Sequence, residues 1–64
     1  MSTIELLEIK LEHIRSLHRY LTNVIGYRLH EFSPKTRAEH SKAVTRVEKT
    51  GVELSARIKE LKTQ

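Results

Sequence analysis

The stretch 29-LHEFSPKTRAEH-40 decides the fold. Ser33 followed by Pro34 reads as a helix N-cap and the first helical residue, where the missing proline N–H costs nothing. Proline also pushes the residue before it out of the α region, so a helix arriving from the N-terminal side closes by residue 31 or 32. Thr36 with Glu39 offers a second capping box, and a new helix can start at either place. We set the turn at about 32–35 and the second helix at about 36–62.

Upstream, Ser2 and Glu5 form a capping box before an apolar run, with Glu5 and Glu8 where the helix dipole favours negative charge. Ile4, Leu7, Leu11, Ile14, His18, Leu21 and Ile25 follow at spacings of three and four, which predicts one helix over about 3–31. Downstream, His40, Val44, Val47, Gly51, Leu54, Ile58 and Leu61 repeat the same spacing. Lys59 and Lys62 sit near the end that favours cations. Two helices of similar length joined by a short turn lie antiparallel. The predicted fold class is therefore all-α: an antiparallel two-helix hairpin, a single domain over 1–64, that dimerises into a four-helix bundle or docks on a larger partner.

With the turn centred between Phe32 and Ser33, the two series face each other. Ile4 falls opposite Leu61, Leu7 opposite Ile58, Leu11 opposite Leu54, His18 opposite Val47 and Leu21 opposite Val44. Ile14 meets Gly51, which marks either a close helix approach or a tolerated kink. Gly26 projects away from this seam.

A second stripe flanks the first. It is concentrated in 17-LHRYLTNVIGYRL-29 and comprises Leu17, Tyr20, Val24 and Tyr27, extended by Leu6 and Phe32. It widens the apolar arc of helix one beyond the seam that a single partner helix covers. An exposed stripe of this kind marks an interface. Tyrosine and arginine are common interface hot spots, and Arg19 and Arg28 lie beside these tyrosines as a rim.

Composition points the same way. A chain of 64 residues without cysteine has no disulfide or thiolate metal to compensate for a small core. A partner, including a second copy of the chain, is the remaining way to bury more surface, and a homodimer is expected. No segment supplies the about 20 apolar residues of a membrane span, and the start lacks the basic region and apolar core of a signal peptide. We expect a complete small cytoplasmic protein with no membrane partner.

Twelve Lys and Arg stand against eight acids, all glutamate, for a net charge of +4. Residues 13–49, nearest the turn, hold eight of the basic residues and three of the acids. Lys35, Lys42, Arg46 and Lys49 follow one outer line on helix two, with Glu39 interrupting. Arg15 with Arg19, and Lys42 with Arg46, are like-charged pairs four apart, an arrangement that an anionic partner relieves. Arg15, Lys35, Lys42, Arg46 and Lys49 are thus candidate contacts to phosphate or to an acidic protein.

Nothing reads as an active site. There is no cysteine nucleophile, no Asp-containing triad and no glycine-rich phosphate loop. His13 and His18 are five apart, on different helix faces, and no carboxylate gathers with His30 and His40. We expect no enzyme activity, cofactor, metal or small-molecule substrate. The expected function is a protein–protein interaction module of adaptor, chaperone or inhibitor type, working through the stripe on helix one. The alternative is a nucleic-acid-binding hairpin that uses the basic face of helix two. In length and topology the chain resembles helical hairpins that bind RNA, which favours RNA over DNA in that alternative.

Overall fold

The computed structural model describes residues 2–64 as a helical hairpin, a rod of 47 × 15 × 13 Å. Helix α1 spans Thr3–Tyr20 and continues, without leaving the rod, through a π-helical turn at Leu21–Ile25 and a 3-10 segment at Gly26–Glu31. Helix α2 spans Pro34–Lys62, and its 29 residues set the length of the rod. At about 1.5 Å per residue such a helix is about 44 Å long.

The caps expected at Ser2 and Ser33 are both formed. Ser2 Oγ accepts the Glu5 amide at 3.1 Å and opens α1. Ser33, extended at φ −65° and ψ 158°, accepts the Thr36 amide at 3.3 Å, with Pro34 as the first helical residue. Helix α2 therefore begins two residues before the expected position 36, and the turn narrows to Phe32 and Ser33. Of the two available caps the chain uses the first, because proline already holds the φ of an opening helical turn.

The seam packs in the expected register along the open half of the rod. Leu11, Leu54 and Ile58 are buried together, and Ile4, Leu7 and Ile14 pack against them. Val47 is the fourth buried residue. Gly51 faces Ile14, as the pairing requires, but a Cβ built at Gly51 would lie 3.6 Å from Ile14 Cγ2, an ordinary contact. The glycine is thus not demanded by close approach of the helices.

Beyond Tyr20 the regular α-helix gives way. Threonine, asparagine, valine, isoleucine and glycine follow one another at 22–26, a run without one strong helix former. The Thr22 hydroxyl donates to the His18 carbonyl at 2.9 Å, competing with the main-chain ladder. The Gly26 amide donates five residues back, to the Leu21 carbonyl. The same carbonyl accepts His40 Nε2 from α2 at 2.8 Å, so the imidazole carries its proton on Nε2 there. Leu21, Thr22, Ile25, Gly26 and Leu29 are half-buried along this stretch. A Cβ built on Gly26 would meet only the Leu21 carbonyl of its own rod, at 3.5 Å, and no atom of α2, in keeping with a glycine that projects away from the seam.

Candidate functional site

Within α1 the side chains alternate between two faces roughly a third of a turn apart. One is the seam. The other carries Leu6, Leu17, Tyr20, Val24 and Tyr27, all among the large apolar residues that the hairpin leaves exposed. Tyr27 is the most open at 77 %. The structure adds Ile9, 45 % exposed, to this group. Its spacing of three from Leu6 was a legible signal, hidden because the interleaved Glu8 and Lys10 make that stretch read as polar. Phe32 does not belong with them. It is half-buried in the turn, where its extended backbone (φ −100°, ψ 156°) ends the helix and draws the ring toward the hairpin.

The stripe runs through the π-turn. Tyr20 precedes it, Val24 lies within it and Tyr27 follows it, yet all three remain open. Helix α2 does not reach this side of α1. Among the described residues no side chain is fully enclosed, and only four are buried at all. The hairpin therefore leaves more large apolar side chains open than it buries.

The two rim arginines are tied to carboxylates of their own helix. Arg19 reaches Glu12 at 3.3 Å and Ser16 Oγ at 3.0 Å. Arg28 Nε donates to Glu31 at 2.8 Å, three residues on, a spacing that the 3-10 segment brings into line. Both pairs are exposed, so each contributes little to stability.

The structure divides the five candidate anion contacts. Lys35, Lys42, Arg46 and Lys49 run along one line of α2, exposed, and among the described residues none makes an ion pair. Lys42 and Arg46 border a shallow depression with Ser41 and Thr45. Arg15 stands apart from them. It lines an open groove of about 550 Å³ on the other flank of the hairpin, floored by Leu11, Ile14, Val47 and Gly51. His18 Nε2 and Glu48 approach across this groove at 3.8 Å.

Among the described residues no three His or Glu side chains gather into a metal-binding group. Among them, too, no helix is long and apolar enough to cross a membrane. Comparison with protein-family models, curated protein sequences and solved structures found no match for this chain.

Proposed function

We propose that this chain is a protein-binding module, with no catalysis of its own, and that the outer face of α1 is its contact surface. One observation carries this reading: Leu6, Leu17, Tyr20, Val24 and Tyr27 stay exposed on the side of the first helical rod that α2 does not cover, four of them grouped within residues 17–27. Leaving such a stripe in water forgoes roughly 25 cal/mol for each Å² of apolar surface, and a partner recovers it. The two tyrosines supply large, nearly rigid contact area with a hydroxyl at the rim. The small, thin core of the hairpin makes that extra burial matter more than it would in a larger domain.

Site-specific photo-crosslinking in the cells that make the protein tests the reading. A photoreactive phenylalanine analogue at Tyr20 is expected to capture a partner in a discrete adduct. The same group at Val52, which is 70 % exposed on α2, is expected to capture none. No adduct from Tyr20 or Tyr27 sinks the proposal.

A second reading is favoured by a separate observation. The basic line Lys35, Lys42, Arg46 and Lys49, interrupted by Glu39, makes no ion pair among the described residues, which suits a phosphate backbone. RNA binding through this line predicts a steep loss of affinity between low and physiological salt. A flat salt response excludes it.

A further inference from the structure

Resting on the reading of the α1 stripe as a contact surface, we infer that its occupant is a second copy of this chain, packed antiparallel, α1 against α1, with the two-fold axis near Leu17. Three features lead there.

The first is area. The chain exposes 5064 Å². A compact monomer of 7.5 kDa exposes about 4,200 Å² by the usual scaling with mass. The surplus of about 800 Å² equals what one partner contributes to a standard stable interface.

The second is charge. Residues 3–14 of the first helix hold Glu5, Glu8 and Glu12 against Lys10, and residues 15–31 hold Arg15, Arg19 and Arg28 against Glu31. The helical rod Thr3–Glu31 therefore has an acidic first part and a basic second part, and about its midpoint at Leu17 the two halves carry net −1 (Glu5, Glu8, Glu12 against Lys10, Arg15) and +1 (Arg19, Arg28 against Glu31). Over the whole hairpin, residues 13–49 carry eight basic and three acidic side chains, whereas the two chain ends carry four and five. A parallel pair sets one strongly positive turn end beside the other. An antiparallel pair sets each turn end beside the partner's slightly negative open end, and like-charge contact is avoided at both. A two-fold axis perpendicular to the helix makes this match twice, as an isologous interface requires.

The third is the stripe's own asymmetry. Its N-terminal half is aliphatic (Leu6, Ile9) and its C-terminal half carries the rings (Tyr20, Tyr27). Antiparallel packing about Leu17 lays Tyr27 of each copy over Leu6 of the other, with Tyr20 close to the crossing. Leu17, partly open and midway along the rod, falls at the crossing.

Cysteine placement tests the arrangement directly, because the chain has no native cysteine. Leu6→Cys and Tyr27→Cys alter exposed positions, so helicity by circular dichroism is expected to stay at the level of the unmodified chain. Leu6 and Tyr27 are 21 residues apart in sequence, about 30 Å along a helix. With a short bifunctional maleimide, neither variant alone is expected to give a covalent dimer, and an equal mixture of the two is expected to give a mixed dimer. Efficient cross-linking of Leu6→Cys or Tyr27→Cys with itself means a parallel pair and overturns the inference. Light scattering on the unmodified chain supplies the independent readout, with a mass near twice 7.5 kDa expected. A monomer at every accessible concentration overturns the second copy as occupant. In that case an adduct from Tyr20 to a different protein in cells still upholds the contact surface, so the two failures are told apart.

Discussion

Gly51→Ala is the most informative single change to the fold. The position lies in the middle of α2, facing Ile14 across the seam, where the sequence alone leaves two explanations for a glycine. If the helices approached so closely that only hydrogen fitted, alanine would force them apart. The structure instead leaves 3.6 Å between the added Cβ and Ile14 Cγ2. Helix propensity then favours alanine by about 1 kcal/mol. The new methyl, half-buried against Ile14, adds no more than about 0.5 kcal/mol. The expected gain is about 1–1.5 kcal/mol, and each kcal/mol raises the Tm of a domain this small by roughly 4–8 °C. Thermal and urea unfolding followed by circular dichroism measures it, with both proteins at one chain concentration because association shifts the midpoint. A Tm equal to or below that of the parent chain refutes the reasoning. It would mean that the helices meet more tightly at residue 51 than 3.6 Å allows.

Three other changes probe separate parts of the hairpin. Ser33→Ala removes the acceptor of the Thr36 amide and is expected to cost about 1 kcal/mol, with faster amide exchange confined to residues 34–37; unchanged exchange there would move the cap to Thr36. Leu54→Ala hollows the cluster of Leu11, Leu54 and Ile58 and is expected to cost about 2–3 kcal/mol, the lower part of the range for such truncations because the thin core can partly collapse. A cost below about 1 kcal/mol in urea unfolding would place the main core elsewhere. His40→Ala takes one hydrogen bond from the Leu21 carbonyl and is expected to cost about 1 kcal/mol, with faster exchange of the Gly26 amide; if that amide is unaffected, the histidine does not hold the π-turn.

Much of this fold was legible because its signals are local. Ser2, Ser33 and Pro34 act within four residues of themselves, and their chemistry does not depend on what packs above them. The three-and-four spacing from Ile4 to His18 and from Val47 to Leu61 likewise states which face must be buried, and antiparallel pairing follows from the short turn. The candidate surface was readable for the same reason, since Leu6, Leu17 and Tyr20 lie on a regular helix whose wheel is known in advance. Ile9 escaped notice because its polar neighbours hide it until α2 is seen to lie elsewhere.

The sequence by itself determined the two helices, their caps, the register of the open half and the split of charge between the ends of the rod. Only the tertiary structure decided what happens between Tyr20 and Ser33. There the residues are poor helix formers, so α, π and 3-10 turns differ little in local energy. The choice passes to a long-range partner, the His40 imidazole on the Leu21 carbonyl, 19 residues away in sequence. No periodicity read along the chain contains that hydrogen bond.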